Sequence, residues 1–182
     1  TIDEYMDNDD MLWVVAAGND GRSGSETILN PATGRNVITV GAVLFFTDDN
    51  LNKEIGDIAE YSSLGPTADN KRLKPEIVAS GGQTRLDYGY YQHGVASTNI
   101  NPDGNASGNE WPEDDNYTRK SGTSMAAPHV TGAFALMTET YPALSSEAMK
   151  ARLIAGTIPL KTSSGNMPNN GYANTSAGYG LL

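Results

Sequence analysis

The sequence predicts an α/β protein built on a mainly parallel central sheet, and three observations lead there. Short runs that are apolar on both faces recur at residues 11–17, 36–43 and 76–79. A strand covered on both sides reads this way, whereas a strand with one wet face alternates. Helical apolar patterns follow these runs, and Gly and Pro punctuate the joins, notably at Gly65-Pro66 and Gly81-Gly82.

Taken in order, Ile2, Tyr5 and Met6 among acidic neighbours mark the end of an amphipathic helix. Residues 11–17 form a first strand, buried on both faces and stopped by Gly18; residues 36–43 and 76–79 supply the next two. Residues 99–120 are dominated by Asn, Asp, Glu, Gly and Pro, with only Ile100, Trp111 and Tyr117 to offer a core, which predicts a long surface loop. Its oxygens, Asp103, Glu110, Glu113, Asp114 and Asp115, could hold a structural calcium, but their spacing lacks the alternating ligands and sixth-place glycine of an EF-hand. A solvated loop is the expectation. Beyond it, Val130, Ala133, Phe134 and Met137 fall at i, i+3, i+4 and i+7, a helix with one inward stripe and Ser124 in its first turn. A second helix follows Pro142, capped by Ser145 or Ser146, with Met149 and Leu153 on one face and Gly156 at its end. The tail through Gly171 and Gly178 to Leu182 reads as irregular, then extended.

A chain of 182 residues with 38% apolar residues suits one folded domain despite a formal charge of −10. That charge repels nucleic acid phosphates and anionic membrane surfaces. The absence of cysteine excludes disulfides, thiolate zinc sites and a thiol nucleophile. No stretch approaches the ~20 apolar residues of a membrane helix, and an export signal would have to lie upstream of Thr1. Asn105, Asn116 and Asn174 begin Asn-x-Ser/Thr triplets, which matter only in a source that glycosylates.

The chemistry concentrates in Ser121-Gly122-Thr123-Ser124-Met125-Ala126-Ala127-Pro128-His129-Val130-Thr131-Gly132. A serine hydroxyl is a weak nucleophile until a base takes its proton, and a helix start adds amides and a dipole that favour developing negative charge. Gly122 lets another backbone approach closely. Pro128 removes the amide that would have bonded the Ser124 carbonyl. Alone, Gly-Thr-Ser before a helix reads as a cap, and Asn19-Asp20-Gly21 after a strand reads as a turn.

The whole string from Gly122 to Gly132 resembles the serine signature of the subtilisin-like proteases at every place; it is not the Gly-x-Ser-x-Gly elbow, since Ala126 stands where the second glycine would. Ala16-Ala17-Gly18-Asn19-Asp20-Gly21 resembles the segment that gives this family its side-chain oxyanion donor. The match continues through Asn30-Pro31-Ala32, Tyr61-Ser62-Ser63-Leu64-Gly65-Pro66 and Lys74-Pro75-Glu76-Ile77-Val78-Ala79, departing only at Ser80-Gly81, where the family usually has Pro-Gly. The resemblance implies a three-layer sandwich, here its C-terminal portion, and a secreted or otherwise extracytoplasmic serine endopeptidase. It implies Ser124 as nucleophile, with Asn19 in the oxyanion hole. It implies Ala16, Ala17, Gly18 and Thr123 as substrate-binding residues, Leu29 near a pocket floor, and Met125 on the leaving-group side. No cofactor is required for that reaction, and the expected partner is a polypeptide substrate.

A histidine base and its orienting carboxylate should precede Asn19 in this family, and the sequence offers neither. His129 follows Ser124 by five residues on one rigid helix and is expected to be structural; His93 follows the Asn19 segment and is assigned to surface or packing. The chain therefore reads as the second half of a catalytic domain, inactive alone, whose partner is its own upstream half. The alternatives are a pseudoprotease or peptide-binding module and, last, an unrelated enzyme using Ser124 with another base.

Overall fold

The computed structural model describes residues 2–45, 55–82, 94–99, 110–111, 114–160 and 173–182. Helix α1 (Ile2–Asp9) leads into strand β1 (Val14–Ala16), a 3₁₀ turn (Gly21–Ser23), β2 (Ile38–Val43) and β3 (Ile77–Ser80). A second group follows: β4 (Val95–Thr98), β5 (Glu110–Trp111), β6 (Asp114–Lys120), then α2 (Thr123–Thr140) and α3 (Ser146–Ala155).

Strands β1, β2 and β3 form a parallel sheet in that order, with Val14 beside Ile38 and Val40 beside Ile77. The two-sided apolar runs are explained by what covers them. Ile38, Val40, Ala42, Ile77 and Ala79 pack with Ala126, Val130 and Phe134 of α2 and Met149 and Leu153 of α3. Val43 and Val78, one position out of phase, face the opposite layer with Leu160 and Ala177. Successive side chains of a strand point to opposite faces, so a sheet with helices on one side and packed loops on the other needs apolar residues at both phases. The tail completes this second layer: Leu181 bridges Val78 in parallel and Ile158 antiparallel.

Two expectations change. Residues 11–17 form only a three-residue strand, at the edge of the described sheet, and Met11 and Trp13 are exposed. The apolar run suited a central strand, but nothing among the described residues pairs with its outer edge. Residues 99–120 are not all loop either, because β5 and β6 pair antiparallel and β6 pairs with β4, Val95 facing Lys120. Polar side chains hid these strands: an antiparallel ribbon is held by backbone bonds and needs little apolar content. Of the calcium candidates, Asp103 and Glu113 lie outside the described residues, and Glu110, Asp114 and Asp115 stand in β5 and β6.

One charged cluster ties the layers together. Lys74 is 2% exposed, and its Nζ donates to Glu76 Oε1 at 2.5 Å and to the Val37 carbonyl at 3.1 Å. Glu76 Oε2 accepts the Thr39 amide at 2.7 Å, and Lys150 of α3 reaches Glu76 at 3.5 Å and the Val37 carbonyl at 3.0 Å. Burial pulls the Lys74 pKa down, while the Glu76 carboxylate opposes that shift. Removing one member of a buried pair strands the other, so Glu76→Gln should destabilise by about 3–5 kcal/mol in urea unfolding. Lys74→Met combined with Glu76→Leu should recover only part, since the Thr39 amide then loses its acceptor.

The start of α3 has two caps. The Ser145 side chain accepts the Ala148 amide at 3.3 Å, and Asp10 Oδ1 accepts the Ser146 amide at 2.8 Å. The Ser146 amide holds the Asp10 pKa below its usual 3.8. A depressed folded pKa contributes stability that is complete above the unfolded value and lost as pH falls through the folded one. Asp10→Asn should therefore lower Tm at neutral pH and leave it unchanged in acid below both values, as thermal unfolding across pH would show.

Candidate active site

The site forms where the C-terminal end of β1 meets the N-terminus of α2. Gly18 follows the strand with φ +106°, a conformation open to glycine, and a Cβ there would sit 2.8 Å from Ser63 Oγ. Gly122 caps α2 with φ +149°, leaving Thr123 and Ser124 as the first two residues of the helix. Of the first-turn amides, that of Thr123 donates to Asn19 Oδ1 and those of Met125 and Ala126 to the Gly122 carbonyl, so the Ser124 amide and the helix dipole are what the turn can offer an anion. Pro128 lies inside α2, as the sequence implied, and takes away the amide that would bond the Ser124 carbonyl.

Thr123 joins the two elements. Its hydroxyl accepts the Gly18 amide at 3.2 Å and lies 3.1 Å from Asn19 Oδ1 and 3.3 Å from the Gly18 carbonyl, to one of which it donates. Its own amide donates to Asn19 Oδ1 at 3.0 Å. A backbone amide can only donate, which settles the orientation of the Asn19 carboxamide: oxygen toward Thr123, NH₂ away from it. Ser63 supports the same strand end, donating its amide to the Gly18 carbonyl at 3.0 Å and accepting the Asp20 amide on Oγ at 3.1 Å.

Ser124 is exposed and borders a cleft of about 390 Å³ lined by Val95, Thr98, Lys120, Met125 and His129 among others. The cleft runs between α2 and the β4–β6 pair, so the ribbon unseen in the sequence forms one of its walls. The His129 ring places Nδ1 2.8 Å from the Met125 carbonyl, a tie within its own helix that agrees with a structural histidine. His93 lies outside the described residues. Among the described residues, no group of three or more His, Cys, Asp or Glu side chains is placed to hold a metal ion.

The predicted site residues thus divide. Ser124, Asn19 and Gly18 come together around the helix start, with Ala16 half-buried behind them. Ala17 is 1% exposed and Thr123 is fully buried, so the Thr123 side chain serves as a tether and not as a surface that a peptide touches. Leu29 is 64% exposed rather than seated in a floor. Ser63 was missed in its role: its segment stood out only as a string, and no local pattern shows a hydroxyl bracketing a strand 43 positions earlier.

The α/β scaffold is shared with known proteins. Residues 1–180 match the subtilase family, and the chain belongs to it. Subtilisin DY of Bacillus licheniformis is 36% identical over 144 residues, 79% of this chain and 38% of that protein. Serine protease AprX of Bacillus subtilis (strain 168) is 34% identical over 165 residues, 88% of this chain and 33% of that protein. The solved structure of sphericase superposes with a TM-score of 0.69 at 25% identity, covering 98% of this chain and 49% of sphericase. The chain thus spans a third to a half of the length of these relatives.

Because Thr123 holds both the strand end and Asn19, Thr123→Val should cost about 1–3 kcal/mol by leaving the Gly18 amide without its acceptor. The Asn19 carboxamide should keep its orientation, because the Thr123 backbone amide still donates to Oδ1, and its side-chain amide resonances should stay sharp.

Proposed function

We propose that this chain is the nucleophile-bearing portion of a serine endopeptidase. Ser124 Oγ attacks the scissile carbonyl carbon, its proton passes to a base and then to the departing amine, and water later releases the acyl group from Ser124. The Asn19 NH₂ and the Ser124 amide hold the oxyanion. The observation that carries this reading is the Asn19 carboxamide, whose oxygen is engaged by Thr123, the residue before Ser124, so that its NH₂ is left to donate elsewhere. Ala16 and Gly18 form a small-residue wall for the substrate residue preceding the scissile bond, and Met125 adjoins the leaving group.

The base and its orienting carboxylate come from an upstream portion of the same domain, so the 182 residues alone are inactive. Two observations support this: relatives about two to three times longer, and the apolar strand β1, whose outer edge no strand among the described residues pairs with. The substrate is a polypeptide, no cofactor is required, calcium is optional, and the protein acts outside the cytoplasm. No helix among the described residues is long and apolar enough to cross a membrane.

A fluorophosphonate applied to the full-length protein should label Ser124 and no other residue; labelling elsewhere in an active enzyme would sink the assignment. Asn19→Ala should lower kcat by about 10²–10³-fold with little change in KM, a magnitude carried over from the side-chain oxyanion donor of the subtilisins. Peptide binding that survives Ser124→Ala in a protein with no turnover to lose would instead favour a peptide-binding module.

A further inference from the structure

We infer that Tyr61 is a positioning residue for Ser124: its hydroxyl, held by the core, sets the Gly122 turn against the end of β3 through the Gly81 and Gly82 carbonyls. This rests on the role proposed above for Ser124.

The Tyr61 ring belongs to the same core cluster as Val40, Ile77 and Phe134, and the residue is only 5% exposed. Its hydroxyl lies 2.8 Å from the Gly81 carbonyl oxygen and 2.6 Å from that of Gly82, the two residues that follow β3. The Gly81 carbonyl also accepts the Gly122 amide at 2.9 Å, while the Gly81 amide donates to Val43 at 3.1 Å. One carbonyl thus links the buried phenol to the residue that caps α2, and Thr123 and Ser124 follow at once.

The joint has no slack. A Cβ on Gly81 would fall 2.5 Å from Ala42 Cβ and 2.9 Å from both the Gly122 carbonyl oxygen and the Tyr61 hydroxyl. The family match usually places Pro-Gly after the strand, and here Ser80-Gly81 stands instead. Proline would fix φ at that place, whereas Ser80 leaves the strand end freer, and the Tyr61 hydroxyl, with one proton for the two neighbouring carbonyls, supplies restraint from outside the turn. Burial raises the phenol pKa far above its ordinary value, opposed only in part by the Gly122 amide, so the hydroxyl keeps its proton and donates. A buried hydroxyl without a partner would be costly, and phenylalanine would fill the same apolar space. The tyrosine oxygen is therefore explained by what it holds.

The test is Tyr61→Phe in the full-length protein, with the core substitution Ile38→Val as a control for stability. Amide hydrogen exchange at Gly122 and Thr123 should quicken by about five- to tenfold, the equivalent of one net hydrogen bond. Where the protein turns over peptide, kcat should fall by a similar factor with KM held within about twofold, and Ile38→Val should change neither. Fluorotyrosine at position 61, which keeps ring and donor, should restore both readouts. Exchange and kcat at wild-type values in Tyr61→Phe would overturn the proposal, as would a rise in KM alone or an equal kcat loss in Ile38→Val. If the wild type neither turns over peptide nor labels at Ser124, the proposed function fails, and the exchange measurement still decides the role of Tyr61.

Discussion

The structure depends on the junction made by Thr123. A buried hydroxyl and its own backbone amide hold the end of β1 at Gly18 and the carboxamide of Asn19 while opening the first turn of α2. These contacts join residues more than 100 positions apart, across the parallel sheet and the helix above it. In return they convert two ordinary local features, a turn after a strand and a cap before a helix, into a paired donor and hydroxyl. A carboxamide free to flip would present oxygen or nitrogen indifferently; the Thr123 amide removes that choice.

The layers beneath serve this junction. Strand β2 is buried along its whole length, with alternate residues feeding the helical core and the opposite layer. The Lys74–Glu76–Lys150 cluster joins β2, the start of β3 and α3 through backbone acceptors at Val37 and the Thr39 amide. Charges this deep do not bring large net stability, because desolvation offsets much of their attraction. Their directional bonds instead restrict how β3 can slide against β2. At the end of β3 the Gly81 carbonyl receives the Gly122 amide, so sheet register reaches the start of α2 through one hydrogen bond.

Much of the fold was legible in the sequence, because burial on both faces writes itself as uninterrupted apolar runs and a one-sided helix as a 3.6-residue period. Strands β2 and β3, the stripe Val130, Phe134 and Met137, the Ser145 cap and the Gly156 end all correspond to such signals. The β4–β6 ribbon did not, since its residues are polar and its stability lies in backbone pairing that leaves no side-chain period to read. The length of β1 was overread for the opposite reason: an apolar run states what its side chains need, and the strand's outer neighbour is not among the described residues. At the site, a long motif marked Ser124 and Asn19, yet it did not show that Thr123 is buried and Leu29 exposed. A motif records that residues matter together without saying which of them faces solvent.

By itself the sequence determined the class of scaffold and the family and singled out Ser124 and Asn19, because these depend on residue identity and on spacing within single segments. Only the tertiary structure decided how Asn19 is oriented, that Thr123 is a tether, that Ser63 and Tyr61 support the strand ends, and that a polar ribbon walls the cleft beside Ser124. Those facts arise from contacts across tens to more than a hundred residues, and such contacts leave no period or local pattern in a chain until folding brings the partners together.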